Sequence, residues 1–483
     1  MKARIRPILC LMALLCILPL LARPARAEEV MAEKLTGRDF AATFEGFPGV
    51  DCLFDGKGDW GLKTSNKANL TLSDSKGIAS LYFRFGAPCG TFSITNEKTG
   101  ETKDWTPKYL HEYVDLKALF GEVPVTVTLR FANGPVTLYE IEGYTEGTLP
   151  ASVQVWEEPK DGATDLVLFS THCDDEHLFF AGVLPYYAGE RGYQVQVVYM
   201  TSHNKSNGYT RMHEALDGLW TAGVRNYPIW GEYYDYPVNN LGDAYRYFNA
   251  YGWPEEEMLG FVVEQLRRFQ PTVAVGHDLN GEYGHGQHMV WADLLAKAVE
   301  ISADESRYPE SAETYGTWDV PKTYLHLLEK DPIVMDWDQP TAAFDGKTPW
   351  QVSMEAYQCH KSQLETLVEA DWYFADHATA AQPKDHSPLN YGLYRSTVGA
   401  DAEKNDFFEN TLTYTELERI PPETEPAPTE APTEPEPTQP EQTEEIPAPA
   451  QSYPLWPFAV ILGSMILAAI SMIFARIDHR KNI

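Results

Sequence analysis

Leu166-Val167-Leu168-Phe169-Ser170-Thr171-His172-Cys173-Asp174-Asp175-Glu176-His177 decides how this chain is read. An apolar run of strand length ends abruptly in two imidazoles and three carboxylates. A short apolar run bounded in this way reads as a buried strand. It belongs to an alternation of strand and helix that continues downstream. Glu176 to Gly192 reads as helix, Gln194 to Met200 as strand, Arg211 to Gly223 and Met258 to Phe269 as helices, Thr272 to Gly276 as strand and His288 to Ile301 as helix. That rhythm predicts an α/β fold, a Rossmann-like parallel sheet with helices on both faces. In such sheets ligands sit at the carboxyl ends of the strands, so the polar residues just after each strand come first.

Upstream the texture differs. Leu81-Tyr82-Phe83-Arg84-Phe85, then Val123, Val125, Val127, Leu129 and Phe131, then Val136 to Tyr144 alternate between turns rich in Gly, Asn and Asp. This predicts a smaller antiparallel β-sandwich over residues 28–160, ahead of an α/β domain over 161–420. Roughly 390 residues exceed what one core usually organises.

The two ends carry their own signals. Residues 1–27 join Lys2, Arg4 and Arg6 to an apolar run and to Ala25-Arg26-Ala27, the pattern of a cleaved signal peptide. Residues 421–452 are mainly Pro, Thr and Glu, too polar for a core, and read as an extended stalk spanning up to roughly 100 Å. Residues 453–475 are apolar and are followed by Arg476, Arg480 and Lys481, which predicts a single C-terminal membrane helix and a cytoplasmic tail over 476–483. The expected location is therefore the cell membrane, with the globular part outside the cell. A net charge of −32 argues against nucleic acid as a partner, since phosphate binding needs a basic face. Of the cysteines beyond residue 27, Cys52 and Cys89 fall in one predicted domain; a bridge between them and two free thiols are both open readings.

A second strand end matches the first. After Thr272-Val273-Ala274-Val275-Gly276 comes His277-Asp278-Leu279-Asn280-Gly281-Glu282-Tyr283-Gly284-His285-Gly286-Gln287-His288. One histidine alone would more often be a satisfied core residue. Two strand ends with His and Asp three apart are a different matter. His172, Asp175 and His288 make a two-histidine, one-carboxylate metal set that leaves a position for water. Zinc there would acidify that water and polarise a carbonyl. Asp174 is then placed to act as base, and His285 to stabilise an oxyanion or protonate a leaving amine, a set suited to amide hydrolysis. The same ligands suit Fe2+ or another divalent metal, including oxygenase chemistry, so the residues alone leave the metal open.

These two stretches, THCDDE and GEYGHGQH, resemble the motifs of the LmbE-like or PIG-L deacetylases, usually AHPDDE and GEYGH followed by a second histidine. The likeness covers roughly residues 162–370. It implies zinc on His172, Asp175 and His288, Asp174 as base, His285 as the charge-stabilising histidine and Tyr283 near the substrate carbonyl. Thr210-Arg211-Met212-His213-Glu214 resembles the family's RxxE helix, which implies substrate contacts for Arg211 and Glu214. His360-Lys361-Ser362-Gln363 is similar to its late HxSQ segment. Two departures stand out. Cys173 replaces the usual proline and reads as a bystander or as an extra zinc ligand. Gln287 replaces a common aspartate, removing a carboxylate that would tune His285.

The N-terminal part resembles, more loosely, galactose-binding or discoidin-like modules at Leu53-Phe54-Asp55-Gly56 and from Tyr139 to Trp156, so carbohydrate binding and a spacer role are both open. The aromatic residues from Tyr233 to Trp253 read as core or as sugar-stacking platforms. The expectation is a zinc-dependent N-deacetylase of a glucosamine-containing glycan or glycoconjugate. The alternative is a glycan-binding surface protein whose deacetylase-like domain is inactive.

Overall fold

The computed structural model describes residues 30–35, 41–44, 50–58, 60–64, 68–201, 209–364 and 377–419. The expected signal peptide (1–27), stalk (421–452), membrane helix (453–475) and tail (476–483) lie outside the described residues. The expectation of a single C-terminal membrane helix and a cell-membrane location is corrected. Among the described residues no helix is long and apolar enough to cross a membrane. A span needs about 20 apolar residues; the longest described helix, Gly286–Ile301, has 16 and is packed into a core.

The N-terminal strands form two antiparallel five-stranded sheets. One orders Lys34–Leu35, Thr137–Tyr144, Ser80–Phe85 and His111–Asp115, with Leu62–Lys63 also on Thr137–Tyr144. The other orders Ala41–Phe44, Ala68–Ser73, Thr126–Phe131, Phe92–Asn96 and Glu101–Trp105. Their sequences alternate as a half-buried strand must: Ala68, Leu70 and Leu72 are buried and the residues between them are not. Leu70 and Leu129 of one sheet and Phe83, Phe85 and Ile141 of the other share a single core. Cys52 and Cys89 pack at its edge, and Cys89 is a free thiol.

The following strands build one seven-stranded sheet. They are β1 (Leu166–Ser170), β2 (Val195–Thr201), β3 (Ile229–Tyr233), β4 (Val273–Gly276), β5 (Lys322–His326), β6 (Pro332–Val334) and β7 (Asn390–Ser396), in the order β3-β2-β1-β4-β5-β7-β6. The first five run parallel, and β7 and β6 are antiparallel. The helices that matter are α1 (Asp175–Leu178), α2 (Thr210–Thr221), α3 (Leu241–Ala250), α4 (Glu255–Phe269), α5 (Gly286–Ile301) and α6 (Pro349–Tyr357). Strand β1 shows why both faces are covered. Leu166 and Leu168 pack with Ala215, Leu216 and Leu219 of α2, whereas Val167 and Phe169 pack with α4 and α5.

The helix expected over 176–192 is interrupted. It stops after one turn, and Pro185–Glu190 resumes as a separate, wider turn. Gly182 between them adopts φ +92°, and a Cβ there would lie 2.3 Å from the Trp337 ring. Close packing of Trp337, not local propensity, sets the break.

Candidate metal centre

Strands β1 and β4 are neighbours in register, Leu166 beside Val273 and Leu168 beside Val275, so the two polar loops leave the sheet side by side. Gly276 ends β4 where a Cβ would press 2.5 Å from Leu295 Cδ2, which holds α5 close against the sheet. Two loop residues adopt backbone conformations that side chains disfavour: Asp174 at φ 143° and Tyr283 at φ 46°. Such strain concentrates where function requires a particular geometry.

The loops bring three atoms into one small triangle. His172 Nδ1 is 3.1 Å from His288 Nε2 and 3.2 Å from Asp175 Oδ2, and His288 Nε2 is 3.3 Å from Asp175 Oδ2. Hydrogen bonding around the triangle assigns its protons. Gln287 Nε2 donates to the Tyr234 carbonyl at 2.7 Å, so Gln287 Oε1 must accept, and it faces His172 Nε2 at 3.0 Å. The His172 proton is therefore on Nε2, where Asp235 Oδ1 also lies at 3.2 Å, and Nδ1 presents a lone pair. His288 Nδ1 sits 2.8 Å from Glu282 Oε2, which leaves Nε2 bare as well. Two lone pairs and a carboxylate oxygen facing one another at this distance repel unless a cation lies among them. Tetrahedral ligands about 2.0–2.1 Å from zinc would be about 3.3 Å apart, close to the edges found. The donor set fits a divalent metal.

The electrostatics agree. Burial pulls His288 down, but Asp175 and Glu282 overcome it and raise it to about 9. His172 is likewise raised well above its ordinary value, against burial, by Asp235 and Asp175. Burial works against the Asp175 carboxylate, yet His288 and His172 hold it well below the usual range. The site draws positive charge to the triangle.

His277 is close enough to look like another ligand but is committed elsewhere. Its Nδ1 lies 2.8 Å from Glu282 Oε2, and its Nε2 accepts the Thr171 N–H at 3.0 Å. Glu282 also meets His326 Nδ1 at 2.7 Å through Oε1. One fully buried carboxylate thus orients three histidines, one just after β4, one in α5 and one in β5. Sequence reading gave Glu282, His326 and Asp235 no role, since nothing in local spacing joins these loops.

The other expected site residues fall as follows. Asp174 is buried, its Oδ1 2.8 Å from Arg211 Nη2; burial lifts it to about 6 while Arg211 opposes the rise. Arg211 also donates to the Cys173 carbonyl at 2.5 Å, and Glu214 accepts from the Ser362 N–H at 2.8 Å and hydroxyl at 2.6 Å. Arg211 and Glu214, expected to meet substrate, are engaged by the protein itself. His285 lies against the two imidazoles of the triangle, 5.0 Å from His172 and 4.9 Å from His288 between centroids. Burial, with His172 and His288, lowers it to about 3, so it is neutral. Tyr283, 48% exposed, packs 5.4 Å from both His285 and His288. Gln287, expected to matter to His285, instead fixes His172. Cys173 is buried in the apolar core, where burial pushes its thiol well up, and it is outside the donor triangle.

The aromatic stretch divides. Tyr233 and Phe248 are core residues, whereas Tyr236, Tyr247 and the half-exposed Tyr251 stack on one another with centroids 4.8 to 5.1 Å apart around Tyr251.

Residues 167–299 match the family described as PIG-L, GlcNAc-PI de-N-acetylase. A 1D-myo-inositol 2-acetamido-2-deoxy-alpha-D-glucopyranoside deacetylase of Rhodococcus erythropolis is 26% identical over 293 residues, 51% of this chain and 97% of the relative. The enzyme of the same name from Streptomyces avermitilis is 25% identical, covering 50% and 96%. Among solved structures, the N,N'-diacetylchitobiose deacetylase of Pyrococcus horikoshii aligns with a TM-score of 0.36 and 16% identity, over 48% of this chain and 83% of that one. The chain carries a PIG-L-family domain with deacetylase relatives.

Proposed function

We propose that this chain is a metal-dependent N-deacetylase that hydrolyses the acetamide of a GlcNAc-containing glycan or glycoconjugate. The observation that carries the reading is the triangle of His172 Nδ1, His288 Nε2 and Asp175 Oδ2, with the neighbouring Asp174 buried and paired with Arg211. The names of the matched family and of the relatives supply the substrate class. The order of the seven-stranded sheet supports a Rossmann-like α/β domain, and the shared core of the two N-terminal sheets supports a sandwich ahead of it.

His172, Asp175 and His288 would hold a divalent ion, zinc by donor type, and that ion supplies Lewis acidity toward a water and the acetamide carbonyl. Asp174 takes the proton of the attacking water and passes it to the departing amine; its raised affinity for a proton suits both steps. Arg211 holds that carboxylate in place. His285, being neutral, donates an N–H toward the developing oxyanion rather than a full proton. Tyr283, whose ring packs on His285 and His288, would reach toward the same oxygen, and Tyr236, Tyr247 and Tyr251 would offer ring faces to a sugar.

The test is release of free amine and acetate from N-acetylglucosaminyl inositol and chito-oligosaccharides by the full chain, with zinc and with a chelator. Chelator-sensitive release is expected. Absence of release from every N-acetylated sugar while metal is bound would sink the reading.

A further inference from the structure

A second cluster lies behind the first. Glu176 and His177 follow Asp175 in α1, and His360 reaches them from the turn after α6; all three side chains are fully buried. His360 Nε2 is 3.3 Å from Glu176 Oε1, and His177 Nε2 is 3.7 Å from the same oxygen. Neither approach has hydrogen-bond geometry. Both ring nitrogens of His177, both of His360, and Glu176 Oε1 have no hydrogen-bond partner among the described residues. A fold satisfies nearly all of its buried polar atoms, so five orphans around one point call for an occupant.

The cage around them is shut. The Tyr357 ring stacks on His360, centroids 5.9 Å apart, and a Cβ on Gly218 of α2 would come 2.9 Å from His177 Nε2. Two imidazole nitrogens and one carboxylate oxygen, all within 4.8 Å of one another, form a donor set of zinc's kind.

We propose that Glu176, His177 and His360 hold a second divalent cation of zinc's class, in a closed structural site separate from the His172, Asp175 and His288 triangle. The cation enters as the chain folds, because the finished cage offers it no opening. It ties the start of α1 to the turn beyond α6. Glu176 Oε2 accepts the Asp174 N–H at 2.8 Å, so the same ion fixes the strained backbone of Asp174. The inference is independent of the reaction proposed above.

The test is elemental analysis of the full chain produced with zinc and dialysed into metal-free buffer, alongside His177→Gln, His360→Gln, His288→Ala and the double variant His288→Ala with His360→Gln. Two zinc ions per chain are expected, falling to one in each single variant and to none in the double. Should His177→Gln or His360→Gln fail to fold, the His288→Ala chain grown in cobalt decides: it should keep one ion with the visible absorption of a low-coordinate site. One ion in the parent chain with none in His288→Ala, or two ions retained in both His177→Gln and His360→Gln, would overturn the proposal.

Discussion

Glu282 Oε2 lies 2.8 Å from Nδ1 of His277 and 2.8 Å from Nδ1 of His288. A single carboxylate oxygen therefore sets the proton position on the ring that presents Nε2 to the triangle. Glu282→Gln keeps the shape but can donate as well as accept, so the tautomer of His288 is no longer imposed. Zinc affinity should fall by about 10- to 100-fold, the range for loss of an outer partner, in a competitive chelator titration. An unchanged affinity would remove Glu282 from the site.

Asp174→Asn should retain metal at the parent stoichiometry and lose turnover by about 10²- to 10⁴-fold, because it removes the proton acceptor and none of the three donors. His288→Ala removes a donor and should lose the triangle's ion together with activity. Metal content and kcat, measured on the same preparations, separate the two.

Arg211 opposes the upward pull of burial on Asp174. Removing its charge in Arg211→Met lets that pull act unopposed, so the carboxylate keeps its proton to higher pH. The base works only when ionised. The acid limb of kcat/KM should therefore move to higher pH in the variant, with the plateau preserved at alkaline pH. A pH profile superimposable on the parent's would show that Arg211 does not act through Asp174.

His111 Nε2 and His213 Nδ1 are 2.8 Å apart in the packing of the N-terminal strands on α2, where His111 Nδ1 meets Gln154 Oε1 at 2.6 Å. Burial, with Arg84, lowers His111 well below its ordinary value, and burial, with His111, does the same to His213. The folded state thus binds fewer protons than the unfolded one. Stability is full above the unfolded pKa of about 6.5 and falls as pH drops below it, by up to about 2.7 kcal/mol per pH unit for the two groups. Denaturant unfolding at pH 7 and pH 5 should show the loss, and His213→Gln, which can still donate to His111, should roughly halve the slope.

What the sequence made legible followed physical locality. Strands β1 and β4 are uninterrupted apolar runs buried on both faces, and their polar ends carry His172 and Asp175, and His285 and His288, three apart. Strand β5 is not legible in the sequence because its buried residues include Lys322 and His326, whose partners are distant along the chain: Asp401 at 2.6 Å for Lys322 and Glu282 at 2.7 Å for His326. A charged residue in a buried strand is explained only by the fold that pairs it. For the same reason Glu282 is visible as a motif letter while its bonds to His277, His288 and His326 are not. Gln287 stands out in the sequence for the carboxylate it lacks, whereas its effect runs through the Tyr234 carbonyl, which forces its oxygen toward His172.

Helix α2 carries both attachments on its successive turns. Arg211 and Glu214 engage Asp174 and Ser362, while His213 and Asp217 take His111 and, in a two-pronged pair at 3.0 Å, Arg84. A one-residue insertion ahead of Arg211 would rotate all four by about 100° and undo both sets at once. The N-terminal sheets are therefore not an interchangeable cassette. A chimera that replaces them must bring a surface that pairs with His213 and Asp217 as His111 and Arg84 do, or the graft will be felt at the Asp174 loop through the phase of a single helix.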